Sequence, residues 1–233
     1  MQIHTDDKTA IIFGATGLVG SHLLKLLLDS PIYDRVKSFG RREVDMRHPK
    51  LEQHRVDFAD LDQCRDLMRG EDVFCCIGTT RKKAGSKDAF YKVDFTFSHR
   101  IARLAESSNA NQFLLITAAG ADSGSFFFYN RVKGELEDAV KRMDFWAVHI
   151  FQPSLLLGER NESRWGESAA KVLGKAINAV SGNLLKKYQP IEAEVVARAM
   201  LAAAQGFDKG VHVYPSHELQ DLAEDYYSQK RLR

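Results

Sequence analysis

The stretch Thr9-Ala10-Ile11-Ile12-Phe13-Gly14-Ala15-Thr16-Gly17-Leu18-Val19-Gly20 decides the fold. Its first half is a continuous apolar run, the pattern of a strand buried on both faces of a parallel sheet. Three glycines follow with the spacing G-x-x-G-x-x-G, and Leu18–Leu28 then reads as a helix. Strand, glycine turn and helix, in that order, are the setting in which a dinucleotide-binding loop works. Gly14 permits the tight turn, Gly17 lets the backbone approach a pyrophosphate, and Gly20 allows the helix to pack closely on the strand. Unpaired amides at the helix start, aided by the helix dipole, suit phosphate oxygens. The bland alternative is a glycine-rich turn with no ligand, and the intact flanking pattern ranks it below cofactor binding. A Walker phosphate loop is excluded because no Gly-Lys-Ser/Thr follows.

The same alternation continues outward from this unit. Strand-like runs fall at Thr9–Phe13, Val36–Phe39, His54–Val56, Asp72–Ile77, Gln112–Thr117, Phe145–Phe151 and Val211–Tyr214. Helical stretches lie at Leu18–Leu28, Leu61–Met68, Asp88–Ser107, Tyr129–Lys141, Ser168–Leu185 and Glu192–Gln205, with Ser216 as a cap for a last helix over Glu218–Tyr227. Strands alternating with helices predict an α/β doubly wound parallel sheet in the order 3-2-1-4-5-6, with a seventh strand at the edge. One domain over residues 1–233 is expected, residues 154–209 forming a small substrate-side region.

Composition narrows the function classes. Among 233 residues, 33 Lys+Arg nearly balance 31 Asp+Glu, giving a net charge of +2. That speaks against disorder and against a dedicated nucleic-acid binder. Three cysteines make no disulfide framework, and adjacent Cys75-Cys76 sit in an apolar run, where inert thiols in a reducing compartment are expected. No zinc-ligand spacing occurs. The first residues lack a signal-peptide core and no apolar run reaches the length of a membrane span, so a cytoplasmic protein with no membrane partner is expected.

The second strand bears on which dinucleotide is held. NAD-preferring sites end this strand with an acid for the ribose 2′-hydroxyl. Here it ends Phe39-Gly40-Arg41-Arg42, and two guanidinium groups suit a 2′-phosphate by charge and forked hydrogen bonding. NADP(H) is therefore expected, with NAD(H) as the weaker alternative, although a solvated arginine pair at a strand end is common. Asp57, after the third strand, is placed either to accept from an adenine amino group or to cap the next turn.

The fifth strand ends at Thr117, and Tyr129-Asn130-Arg131-Val132-Lys133 follows on a helix. Positions i and i+4 share a face, so Tyr129 and Lys133 can point into one cleft. A phenol shuttles protons poorly at neutral pH, and a nearby ammonium eases transfer to or from a carbonyl oxygen. Thr117 would hold that oxygen, and Lys133 would also reach the nicotinamide ribose. Y-x-x-x-K alone is frequent by chance; its place after the fifth strand of this fold makes it specific.

Together with Gln152-Pro153-Ser154, this arrangement resembles the short-chain dehydrogenase/reductase superfamily, in its atypical and extended branches. More narrowly, Phe39-Gly40-Arg41-Arg42, Ile77-Gly78-Thr79-Thr80-Arg81 with Lys83-Ala84-Gly85, Ala119-Gly120-Ala121-Asp122, Val132-Lys133-Gly134-Glu135 and Glu162-Ser163-Arg164-Trp165-Gly166-Glu167 resemble the atypical Tat-interacting oxidoreductase subfamily. The resemblance implies a Rossmann fold, bound NADP(H) and a reductase site. It would place Gly14, Thr16, Gly17, Leu18 and Val19 on the pyrophosphate, Arg41 and Arg42 on the 2′-phosphate, and Asp57 and Phe58 near the adenine. Ile77, Gly78 and Thr79 would line the nicotinamide side, and Pro153 and Leu155 would border its ring. Two departures concern the chemistry: Thr117 stands where serine is usual, and Gly78-Thr79-Thr80-Arg81 replaces the conventional Asn-Asn-Ala-Gly run.

Other residues are weighed against simpler roles. Arg81 and Arg164 are candidate substrate contacts; Lys82, Lys83 and Lys87 suit either a flap that recruits an anion or a solvated loop. Phe126-Phe127-Phe128 is expected to pack in the core rather than to wall a pocket. His22 and His149 are expected to be packed histidines. The resulting expectation is an NADP(H)-dependent oxidoreductase acting on a small carbonyl or alcohol. A non-catalytic NADP(H) sensor with a protein partner is the alternative, and a nucleotide-sugar epimerase is a weaker third reading.

Overall fold

The computed structural model describes residues 8–158 and 189–224. Arg164, Trp165, the helix expected at Ser168–Leu185 and the end of the last expected helix lie outside the described residues. Six strands come first: β1 (Lys8–Phe13), β2 (Tyr33–Gly40), β3 (Leu51–Arg55), β4 (Asp72–Cys75), β5 (Gln112–Ile116) and β6 (Ala147–Gln152). β7 (Leu156–Leu157) and β8 (Ile191–Glu192) form a separate parallel pair, and β9 (Gly210–Pro215) returns to the main sheet. That sheet has the order β3-β2-β1-β4-β5-β6-β9 and every pairing in it is parallel. The expected order and edge strand are borne out.

Element ends shift where the chain is less apolar. β2 starts at Tyr33, three residues early, because the buried Tyr33 hydroxyl donates to Asp72 Oδ2 at 2.6 Å. β6 starts two residues late, since the Phe145 ring turns to stack on Phe113. Beyond β4, Cys76 keeps the ladder going by donating its amide to the Phe13 carbonyl at 2.9 Å.

One face of the sheet is covered by α1 (Leu18–Asp29) and α6 (Ala193–Gln205). The alanines of α6, including buried Ala197, Ala199 and Ala203, let it lie close to Leu23, Leu24 and Leu27 of α1. The other face, with Phe13, Phe39, Phe113 and Leu115, is covered by the 3₁₀ turn Leu61–Leu67, α4 (Ser98–Ser107) and α5 (Phe128–Val140). Between β4 and α4 the chain forms α2 (Arg81–Ala84), then α3 (Lys87–Tyr91), and runs on through Lys92–Phe97 with π-helical spacing. The segment weighed as either a flap or a solvated loop thus holds two short helical turns, capped by the hydroxyls of Thr80 and Ser86.

His149 is packed, as expected, between β5 and β9. Its Nε2 meets Gln112 Oε1 at 3.1 Å and its Nδ1 meets the Tyr214 hydroxyl at 3.0 Å. Gln112 Oε1 only accepts, so Nε2 carries the proton and Nδ1 accepts from Tyr214. Burial, and then His212 stacked beside it, lower the His149 pKa to about 4. His22 is only half-buried. Ser216 does not act as the expected helix cap: its buried hydroxyl accepts from the Ser154 amide and donates to Ser154 Oγ, tying the end of β9 to the segment after β6.

Candidate active site

The glycine loop crosses the carboxyl end of the sheet. Gly14 has φ +89°, and a Cβ there would lie 2.7 Å from the Cys76 carbonyl oxygen, so no other residue fits. A Cβ on Gly20 would overlap the Gly14 carbonyl, which gives this glycine its expected packing role. Gly17 caps α1 and donates its amide to Gly14 O at 2.8 Å. Thr16, Leu18 and Val19 complete the turn and the first helical residues, with Val19 buried against the core.

β2 pairs with β1 up to Phe39 opposite Phe13, so Arg41 and Arg42, both exposed, emerge beside the glycine loop. Asp57 takes the capping role: its Oδ1 accepts from the Ala59 amide at 2.9 Å. Phe58 turns inward, buried and stacked on Phe97 at 5.6 Å, so its ring presents no face to an adenine.

The centre of the site lies between the end of β4 and α5. Tyr129 is 39% exposed at the start of α5, with its ring 5.5 Å from Phe90 of α3. One turn on, Lys133 is buried and its Nζ lies 2.7 Å from Asp94 Oδ1. The other Asp94 oxygen accepts from the Thr79 amide at 2.9 Å. Burial opposes the Lys133 charge, but Asp94, and then Tyr129, outweigh it, and the lysine pKa is raised above its ordinary value. A Cβ on Gly78 would sit 3.7 Å from this ammonium, so glycine leaves the strand end clear above Lys133. Asp94 escaped the sequence reading. Its signal was a carboxylate inside Val93-Asp94-Phe95, and the π-helical spacing at Lys92–Phe97 is the local device that turns it inward.

The Thr117 hydroxyl, expected to hold the substrate oxygen, is engaged by the protein itself. Buried, it donates to Glu137 Oε1 at 2.6 Å and also lies 3.3 Å from the Phe151 carbonyl. Glu137, likewise unforeseen, is a buried carboxylate that also accepts from Gln152 Nε2 at 3.0 and 3.1 Å and pairs with Lys141 at 3.3 Å. It joins β5, β6 and α5 beneath the site. Ile77 is half-buried after β4. Pro153 is buried and accepts from the Ala119 amide at 2.9 Å, and the Leu155 carbonyl accepts from Ile191 at 3.0 Å.

The three phenylalanines correct another expectation. Phe126 and Phe127 are 94% and 71% exposed, outside the core. Arg131 holds the turn that presents them, donating to the Ser125 and Phe126 carbonyls, while Phe128 alone turns in against Phe90. Arg81 is exposed on α2. Cys75 is buried and Cys76 is half-buried at the strand end; burial pushes both thiols up, which agrees with inert cysteines.

A glycine loop on a helix start, cations past β2 and a Tyr–Lys face at the strand ends define a dinucleotide-binding Rossmann protein, and the donor set fits that cofactor. The family model described as NAD(P)H-binding matches residues 14–152, and the chain belongs to that family. It is 39% identical over 169 residues to Protein HTATIP2 of Rattus norvegicus, covering 71% of this chain and 69% of the relative. It is 36% identical to Protein fmp52, mitochondrial, of Aspergillus clavatus, covering 82% and 85% of the two chains. The Tat-interacting kinship expected from the motifs is borne out. Among solved structures, MoeE5 in complex with UDP-glucuronic acid and NAD superposes with a TM-score of 0.67 at 16% identity, over 88% of this chain and 75% of that one. A UDP-N-acetylglucosamine 4-epimerase from Methanobrevibacter ruminantium gives 0.68 at 14%, over 90% and 77%. These two establish the shared fold. Among the described residues no helix is long and apolar enough to cross a membrane.

Proposed function

We propose that the chain is an NADP(H)-dependent oxidoreductase that interconverts a small carbonyl compound and its alcohol. The observation that carries this reading is the Tyr129–Lys133 face of α5, with the Lys133 ammonium held at the end of β4. Gly14 to Val19 would hold the pyrophosphate, Arg41 and Arg42 the 2′-phosphate, and Lys133 the nicotinamide ribose. When bound, the nicotinamide supplies or accepts hydride. Tyr129 gives its proton to the carbonyl oxygen in reduction and takes it back from the alcohol in oxidation. Glu137 occupies the Thr117 hydroxyl, so Thr117 serves the packing of β5 on α5 and Tyr129 acts without it. Arg81 stands nearest, in sequence, to the nicotinamide-side strand end and is assigned to an anionic group on the substrate.

The test is Tyr129→Phe. The ring still packs on Phe90, so the fold and NADPH affinity should persist while carbonyl-dependent NADPH oxidation falls roughly 10²–10⁴-fold. A rate that survives the substitution overturns the mechanism. The engagement of the Thr117 hydroxyl by Glu137 favours a second reading, a cofactor sensor that changes a partner's affinity between NADPH and NADP⁺. A wild type inert towards every carbonyl tried, yet showing that switch, would establish it. A cytoplasmic location belongs to this proposal. The fungal relatives' names carry the word mitochondrial, and fractionation decides between the compartments.

A further inference from the structure

We propose that Asp94 is a positioning residue that keeps Lys133 charged in a buried place and fixes where that charge points. This rests on the reading of Lys133 as the residue serving Tyr129 and the cofactor ribose. Three observations carry it. Lys133 Nζ and Asp94 Oδ1 are 2.7 Å apart, and the two side chains are 5% and 0% exposed. The second carboxylate oxygen is anchored by the Thr79 amide, so the acid is tied to the strand end that faces the nicotinamide side. The π-helical turn Lys92–Phe97 delivers it there from a helix otherwise continuous with α3 and α4.

A lysine this buried loses its proton unless a partner compensates for desolvation. The charged or titratable groups that face Lys133 are Asp94 from the π-turn, Tyr129 from its own helix and Cys75 from β4. Tyr129 is a phenol, and burial pushes the Cys75 thiol up, away from its charged form. Asp94 is therefore the carboxylate that sustains the ammonium. A conserved hydrogen-bonding shape without the charge would leave Lys133 neutral across part of the working pH range, and Tyr129 would lose its cationic neighbour.

The experiment follows the Lys133 side chain by its Cε resonance in the full chain without cofactor, with Lys133→Arg used to assign the signal. Asp94→Asn keeps the acceptor for Thr79 and removes the charge; the Lys133 midpoint should fall by about 2 units or more. NADPH affinity, read by fluorescence, should then become pH-dependent in Asp94→Asn, weakening about tenfold as Lys133 deprotonates, where wild type stays flat. Adding Lys133→Arg to Asp94→Asn should flatten the profile again, because a guanidinium stays charged. A purely structural Asp94 would not yield that rescue. If Asp94→Asn does not fold, Asp94→Ser provides the same neutral comparison. An unshifted Lys133 midpoint in the neutral variant overturns the inference. A shifted midpoint with unchanged NADPH affinity upholds it and removes Lys133 from the cofactor site instead.

Discussion

At the scale of single residues, the proposed preference for NADP(H) rests on where two positive charges stand. Arg41 and Arg42 stand exposed past β2, beside the glycine loop. Each charge-assisted contact to a phosphate contributes roughly 1.5–3 kcal/mol. Arg41→Ala/Arg42→Ala should thus weaken NADPH at least about tenfold and leave NADH unchanged, as read by parallel titrations. Glu137 works differently, since its partners are the protein's own. Glu137→Ala removes the acceptor shared by the buried Thr117 hydroxyl and the Gln152 amide, and should cost about 2–4 kcal/mol in urea unfolding. Glu137→Gln, which can still accept from Thr117, should cost less than half of that.

At the scale of elements, α5 is held in place by what its glycine admits. A Cβ on Gly134 would overlap the backbone of Asp122 and Ser123, the turn that also donates a hydrogen bond from the Asp122 amide to the Asn130 carbonyl. Helix propensity alone favours Gly134→Ala by about 1 kcal/mol. Overpacking against backbone costs roughly 1–3 kcal/mol and should win. The variant is expected to be less stable in thermal unfolding and to lose Tyr129-dependent turnover, because the turn leading into Tyr129 must move. Such elements were largely legible in the sequence. β1, β4 and β5 are continuous apolar runs bounded by glycine or polar turns, so their burial and parallel order followed directly. Asp94 and Glu137 were not legible, because each is defined by partners distant in sequence: Lys133 lies 39 positions from Asp94 and Thr117 lies 20 from Glu137. Phe126 and Phe127 misled for the opposite reason. Hydrophobicity predicts burial on average, while the Arg131 clasp on the Ser125 and Phe126 carbonyls holds a turn that presents these two rings outward.

At the scale of the molecule, His149 couples the sheet to pH. With a folded pKa of about 4 against about 6.5 in an unfolded chain, the unfolded state binds a proton between those values that the fold refuses. Stability is therefore full above about pH 6.5 and falls by roughly 1.4 kcal/mol per pH unit down to about pH 4. In urea unfolding at a series of pH values, His149→Gln should lose about one proton's worth of that slope, while the carboxylate contributions common to both proteins cancel. The sheet's single direction has a further effect. Because all seven strands run the same way, the residues assigned to chemistry gather at one end, and the turns entering β2, β5 and β6 occupy the other. Asn109, already in a left-handed conformation at φ 57° in the turn before β5, belongs to that far end. The protein thus carries a built-in handle: a dye, tether or fused partner joined there sits a full strand length from the cofactor loop, and the working face stays open.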